Sequence, residues 1–390
     1  MYDDTTSMID RVRAILPQIK ANAITAETDR MVPPENIALL KRTGLHRAFQ
    51  PKAYGGLEMP LPDFENCIAL IATACGSTAW AFSLLAEHSH QIALYSKTLQ
   101  DEIWGEDPDT LSSSSIAPYG KSTEVEGGVL FSGEFGWSSG CDHAQWAILG
   151  FLRDDAEMGK VYSFAILPRS DYEIRDTWFT QGMRGTGSKT LVVKDAFVPE
   201  HRIESVPALM TLTSAGAALY PDSQIYHAPF IYVFASCFSA VSLGIAERMI
   251  ALYTERTQGR VRAYTGAKVG QSIPACMRLA ESTHQVAAGR AFLEKTWAEM
   301  RDLAERHVYP TPTQMAFWRT NQAYAVKMFV AAVDRLFEAS GGSAWFDDAE
   351  AQRLFRNSHM TAAHAYTDYD ICAQILGRAL MGLEPDPSLF

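Results

Sequence analysis

The tightest constraint on this chain is a change of period. Apolar residues recur every three or four positions up to about residue 105, every second position from about 112 to 199, and every three or four again to about 382. Such a chain folds as helices, then a small β region, then helices again. In the first zone Ile9, Val12, Ile15 and Leu16 share a face, as do Phe64, Cys67, Ile68, Ile71 and Ala72. Pro33-Pro34 opens a new helix, and Tyr54-Gly55-Gly56 with Pro60 marks a loop.

The middle zone carries strand-like runs at 128–137, 146–151, 162–167 and 190–193, bounded by Gly, Pro and Asp. No helix of useful length separates them, so the sheet is expected to be antiparallel or barrel-like. After a Thr/Ser/Ala/Gly-rich connection near 211–218, breaks at 264–273, 307–313 and 340–343 divide the remainder into four long helices. Short loops between them predict an antiparallel bundle. The expected organisation is α+β, mainly α: a helical domain over 1–111, a β domain over 112–210 and a four-helix bundle over 211–390.

Composition narrows the functions. Thirty-four Lys and Arg against 45 Asp and Glu leave a net charge of −11, which disfavours a nucleic-acid partner. Asp3 and Asp4 stand where a secretory signal carries lysines, and no uninterrupted apolar run approaches membrane-spanning length, so a cytoplasmic protein off the membrane is expected. Six cysteines without a CxxC pair read as free thiols, and no metal site is expected.

Three groups of residues carry chemistry. Trp137-Ser138-Ser139-Gly140 ends a strand run and offers a flat apolar face beside hydrogen-bonding groups; a core tryptophan followed by turn serines is the alternative. Gly182–Thr190 is rich in glycine, but Ser188 separates Gly187 from Lys189-Thr190, so it is no P-loop. No GxGxxG follows a strand either, which argues against a nicotinamide site. Arg184, Thr186 and Ser188 line either a ligand edge or an ordinary turn. His364 and Asp368, four apart on a predicted helix, share a face, so the carboxylate could orient the imidazole. His359 lies about 140° around that helix from His364, a poor metal pair. His88 and His90 face different ways and read as structural, as do Asp142 and His143.

The order helical domain, β domain, bundle, together with Trp137–Ala144, Gly182–Ser188, Arg356–His364 and Gly377–Leu383, resembles the acyl-CoA dehydrogenase superfamily. Within it the chain is similar to the oxygenase components of two-component flavin-dependent aromatic hydroxylases, such as para-hydroxyphenylacetate hydroxylase and the indole or indoleacetate monooxygenases. The resemblance implies an N-terminal helical domain, a central antiparallel β-barrel and a C-terminal four-helix bundle, assembled as a homotetramer. It implies reduced flavin, FADH2 or FMNH2, supplied by a separate flavin reductase, and O2 added at flavin C4a to hydroxylate a small aromatic substrate. Trp137, Ser138, Ser139, Gly140, Arg184, Thr186 and Ser188 then hold the flavin, and His364, with Asp368, faces the substrate. Such chemistry needs one hydroxyl near flavin N5, and Ser163 on the 162–167 strand is the candidate. Ser112 and Ser114 are candidate substrate contacts, in a run where phenol-hydroxylating relatives carry a histidine. That departure leans towards an indole or indole-3-acetate. The alternative, an acyl-CoA dehydrogenase, needs a glutamate base, and the loop at 340–346 has none.

Overall fold

The protein is described by a computed structural model over residues 6–157 and 159–383; Asp3 and Asp4 lie outside the described residues. The amino-terminal zone holds α1 (Met8–Ala21), α2 (Ala23–Asp29), α3 (Pro34–Thr43), α4 (Leu61–Ala74), α5 (Gly76–Ala93) and α6 (Lys97–Trp104). Local chemistry sets their ends. Ser7 caps α1 by accepting from the Asp10 N–H, Pro34 sits in the first turn of α3, and Gly44 at φ 87° ends it. Every residue of α5 is buried, because it packs on α4, on the first strand and on the bundle. An all-apolar sequence suits such a place, yet α5 carries Glu87, His88, His90 and Gln91.

The strands are β1 (Ser112–Val125), β2 (Gly128–Ser138), β3 (Trp146–Asp155), β4 (Gly159–Pro168), β5 (Glu173–Arg175), β6 (Lys189–Pro199) and β7 (Ile203–Ser205). They form one seven-stranded sheet in the order β5-β6-β2-β1-β3-β4-β7. Pairing is antiparallel except between β1 and β3, which run parallel. The exception has a structural cause. β1 changes partner at an irregularity between Ser115 and Gly120, pairing first with β3 and then, from Lys121, with β2. Gly120 permits this, since a Cβ there would lie 2.6 Å from the Phe131 ring. The two halves enclose Val129, Phe131, Phe135, Leu149, Phe151 and Leu191, a barrel-like core fed by alternate residues of each strand.

After a short α7 (Val206–Thr211) come α8 (Phe230–Gly259), α9 (Ile273–Glu305) and α10 (Pro312–Glu338), and then α11 (Glu350–Ala362) and α12 (Tyr369–Leu380). The expected fourth bundle helix is therefore two helices with a turn between them. The apolar faces of 230–241 and 329–336 are largely spent within the chain. Exposed apolar residues stand elsewhere: Ile273 and Met277 on α9, Leu380 on α12 and Met381 just beyond it. By length and hydropathy α8 could cross a bilayer, but 89% of its most apolar window is buried inside the protein. It is the core helix of the bundle, and Ser236, Ser239 and Ser242 interrupt its apolar run.

Candidate active site

Two turns meet beside α5. At the end of β2, Trp137 takes φ 68° and leaves its indole 65% exposed, edge-on to Trp178 at 5.3 Å. Gly140 follows at φ 71°, where a Cβ would stand 2.9 Å from Leu85, and donates its N–H to the Thr186 carbonyl at 2.9 Å. Hydroxyls join the turns. Ser139 Oγ lies 2.8 Å from Ser188 Oγ, which lies 2.7 Å from Thr186 Oγ1. Ser138 Oγ donates to Ser113 Oγ at 3.1 Å. The structure thus gathers Trp137, Ser138, Ser139, Gly140, Thr186 and Ser188. Arg184 departs from the set: its guanidinium bonds the carbonyls of Glu27 and Thr180 and ties the turn to α2.

An aromatic cluster adjoins these turns. Trp80 on α5 donates its indole N–H to Ser139 Oγ at 3.2 Å, and its ring packs on Phe238 at 4.7 Å and edge-on to His364 at 5.7 Å. Phe238 stacks on His364 at 3.9 Å and meets Phe234 at 5.1 Å. Phe234 in turn lies 5.7 Å from Tyr366 and stacks on His88 at 6.1 Å. Two histidines far apart in sequence therefore border one apolar group.

Their hydrogen bonds assign opposite roles. His88 Nδ1 sits 2.6 Å from the Ser112 carbonyl, which accepts only from an N–H, so Nε2 carries the lone pair. That Nε2 is buried with no partner among the described residues. His364 Nδ1 accepts from the Tyr366 N–H at 3.3 Å, which puts the ring proton on Nε2. Burial pushes both imidazoles down to about 4, aided at His364 by the Arg319 charge, so both are neutral near pH 7. One offers an acceptor and the other a donor.

The expected helical pair of His364 and Asp368 is not formed. α11 ends at Ala362, and the carbonyl of His364 accepts the N–H groups of Thr367 and Asp368 at 2.8 and 2.9 Å. Asp368 caps α12, its Oδ1 accepting from Asp370 N at 3.0 Å and Ile371 N at 3.5 Å. Thr367 completes the turn by donating to the Thr361 carbonyl at 2.6 Å. An exact helical period cannot run through a cap, so the spacing argument fails there.

Ser163 is also misplaced for its expected role. It pairs with Phe151 and Ser205, and its hydroxyl bonds the Val161 carbonyl at 3.2 Å. Phe151 stands four residues along β3 from Ala147, the partner of Ser113, a separation of about 13 Å at strand rise. Ser163 faces a polar cleft of about 540 Å³ shared with Glu124, Arg153, Glu200 and Glu204. Ser139, bonded to Trp80, is the hydroxyl beside the aromatic cluster.

The serine run behaves as alternation predicts. Ser113 and Ser115 bond towards β2, through Ser138 Oγ and the Gly136 carbonyl. Ser112 and Ser114 take the other face, and Ser112 Oγ is buried without a partner among the described residues. No histidine lies in this run, but His88 on α5 is bonded to the Ser112 backbone, so an imidazole stands beside it. The structural reading of His88 rests on its facing a different way from His90; its actual partner, the Ser112 carbonyl, is distant in sequence, and the local signal is the polar run Glu87–Gln91 in a fully buried helix. His90 bonds the Ile225 carbonyl at 2.9 Å instead, so the two do not act as a pair. Asp142 pairs with Lys189 at 2.8 Å and His143 bonds the Val32 carbonyl at 2.8 Å, both structural contacts.

Residues 236–369 match the family described as acyl-CoA dehydrogenase, C-terminal domain. The chain is 62% identical over 383 residues to the oxygenase component of p-hydroxyphenylacetate 3-hydroxylase from Acinetobacter baumannii, covering 98% of this chain and 91% of that one. It is 36% identical over 392 residues to the flavin-dependent monooxygenase oxygenase subunit HsaA of Mycobacterium tuberculosis, covering 99% and 98%. Among solved structures it is similar to the 3-HSA hydroxylase of Rhodococcus sp. RHA1, with a TM-score of 0.94 at 32% identity over 99% of this chain and 100% of that one.

Proposed function

Since the chain belongs to the oxygenase components of two-component flavin-dependent aromatic hydroxylases, within the acyl-CoA dehydrogenase superfamily, we propose that its substrate is a phenol held between His88 and His364. The enzyme is a monooxygenase that works with reduced flavin from a separate reductase. Bound reduced flavin supplies the activated oxygen; the protein supplies everything that positions and protects the reactants. The dehydrogenase alternative is set aside, because relatives at 62% and 36% identity are oxygenases.

The residues present suit a flavin. The exposed indole face of Trp137 offers an apolar wall, the Ser139 hydroxyl and neighbouring backbone offer polar contacts, and Gly140 and Gly187 let the chain turn tightly beside them. Trp80, Phe234, Phe238 and Tyr366 exclude water from the other side.

The observation that carries the substrate reading is the orphaned Nε2 of His88. A phenol hydroxyl can donate to it and release its proton as the ring gives up electrons, which raises nucleophilicity at the neighbouring ring carbon. His364 Nε2–H offers a donor to a substrate oxygen. The Arg319 guanidinium, 5.0 Å from the Tyr366 ring centre, favours an anionic substituent, so a para-hydroxyphenyl acid such as 4-hydroxyphenylacetate fits. Atoms balance as phenol, O2 and fully reduced flavin giving catechol, oxidised flavin and water.

A panel of phenols and indoles, supplied with chemically reduced flavin, tests this reading. Catechol from 4-hydroxyphenylacetate supports it; product from indole-3-acetate with phenols untouched overturns it. The apolar residues on α9 and at the end of α12 support a homotetramer, and a cytoplasmic setting suits six unpaired thiols.

A further inference from the structure

A water-excluded site for this reaction has to be supplied with a proton. When reduced flavin is carried as its monoanion, flavin, O2 and a phenol sum to oxidised flavin, a catechol and water only if one proton is added. His88 and His364 are neutral, so each must be recharged from elsewhere to deliver it.

Beside His88 runs a set of buried polar groups with nothing to bond. Glu87 is fully buried on α5, and both its carboxyl oxygens lack a partner among the described residues. Glu65 on α4 is equally buried; its Oε2 is unpartnered, and its Oε1 accepts from the Cys237 thiol at 3.8 Å. The same thiol lies 4.0 Å from the carbonyl of Ser83, one turn before Glu87, so the two acids flank one spot in the core. Gln91, a turn beyond Glu87, is fully buried and neither atom of its amide has a partner at full hydrogen-bond geometry among the described residues. It stands four residues from Glu87 and three from His88, and is the helical neighbour of both. Next comes Tyr95, whose buried hydroxyl has no partner at full hydrogen-bond geometry among the described residues but interacts with the Gln91 side chain, and whose surroundings include Tyr162 and Glu204. Glu204 lines the open cleft of about 540 Å³.

An unpaired polar atom in a protein interior is costly, and folded interiors leave few of them. Here Glu87, Gln91 and Tyr95 follow one another at four-residue intervals on α5 and just beyond its end, about one 5.4 Å turn apart along the chain, a spacing suited to bridging water. Burial holds both carboxyls well above the ordinary glutamate range, and because each would repel a charge on the other the pair does not ionise together, so both are neutral acids near pH 7.

We propose that ordered water fills the spaces among Glu65, Glu87, Gln91 and Tyr95, and that this file brings the consumed proton from the Glu204 cleft to Glu87 and on to His88. Glu87 gives its carboxyl proton through water to His88 Nε2 and becomes a carboxylate. His88 passes that proton to dioxygen as it is reduced, which frees Nε2 to take the phenol proton afterwards, and a proton arriving past Tyr95 and Gln91 restores the acid. The use of the proton rests on the phenol reading; the file itself does not.

The test begins on the protein without flavin or substrate, which separates the two. Infrared spectra near neutral pH should show the carbonyl stretch of a protonated carboxyl that Glu87→Gln removes. On mixing with D2O that band should shift well before the amides of α5 exchange. Gln91→Leu should keep the band but slow its shift about tenfold, equivalent to about 1.4 kcal/mol on the barrier. In turnover, Gln91→Leu should bind reduced flavin normally and show a larger solvent isotope effect than the parent. Absence of a band lost in Glu87→Gln, exchange only in step with the α5 amides, or wild-type exchange and turnover in Gln91→Leu would each overturn the proposal.

Discussion

The Nδ1 of His88 lies 2.6 Å from the carbonyl of Ser112, 24 residues further along the chain, and this one bond decides which ring nitrogen is left to act. Burial pushes the same imidazole down to about 4. The lone pair on Nε2 is therefore available at neutral and alkaline pH and is lost only as the pH falls towards 4. Product formed per reduced flavin should accordingly stay level from neutral pH upward, wherever flavin and protein are stable, and decline only in acid. A single-turnover pH series with product quantified by chromatography checks this; a rise centred near the ordinary histidine value of 6.5 would contradict it.

Asp368 and His364 should separate cleanly. Asp368→Ala removes the cap of α12 and should cost about 1 kcal/mol of stability, readable as a lower Tm, while Asp368→Asn, which can still cap, should cost less. Neither should change the ratio of hydroxylated product to hydrogen peroxide. His364→Ala should shift that ratio towards peroxide, because the donor facing the aromatic cluster is gone.

A comparison of two serines tests where the flavin-side hydroxyl lies. The Ser163 hydroxyl bonds the carbonyl of its own strand neighbour Val161, so Ser163→Ala should alter stability by about 1 kcal/mol or less and leave product yield unchanged. Ser139→Ala leaves Trp80 Nε1 and Ser188 short of a partner in a buried place. It should cost about 1–3 kcal/mol and raise peroxide release, measured by a coupled peroxide assay.

Much of the fold is legible in the sequence because periodicity is local. Residues 128–137 alternate and 279–293 recur at helical spacing without reference to anything distant. The parallel pairing of β1 with β3 is not legible, since it depends on β1 changing sheets at Ser115 and Gly120. The site divides in the same way. The turns at 137–140 and 186–188 show themselves as glycine-bounded polar runs, whereas His88 becomes visible only when a strand 24 residues away presents a carbonyl to it. The break after Ala362 had a local signal that the 3.6-residue count overrode: Thr367-Asp368 is a pair of capping residues immediately before an apolar helix.

Glu87 makes a pH-dependent prediction with a definite sign. Its folded carboxyl is held well above the ordinary value of 4.5, so between those limits the native state binds a proton that the unfolded chain has released. Stability from this group is present below about pH 4.5 and lost as pH rises towards the folded value. Gln at 87 titrates in neither state. The stability of Glu87→Gln relative to the parent should therefore increase from pH 5 to pH 8, by about 1 kcal/mol per pH unit while the native acid stays protonated. Denaturant melts at several pH values measure it, and a difference independent of pH would show that Glu87 is not a buried neutral acid.

The central claim is that His88 Nε2 accepts the phenol proton, and single-turnover hydroxylation of 4-hydroxyphenylacetate by His88→Ala, with reduced flavin and O2, tests it most directly. Loss of a positioned base predicts a hydroxylation rate lower by about 100-fold or more, with reduced flavin bound as before and partial recovery on adding imidazole. Hydroxylation by His88→Ala at the wild-type rate and yield would contradict the account.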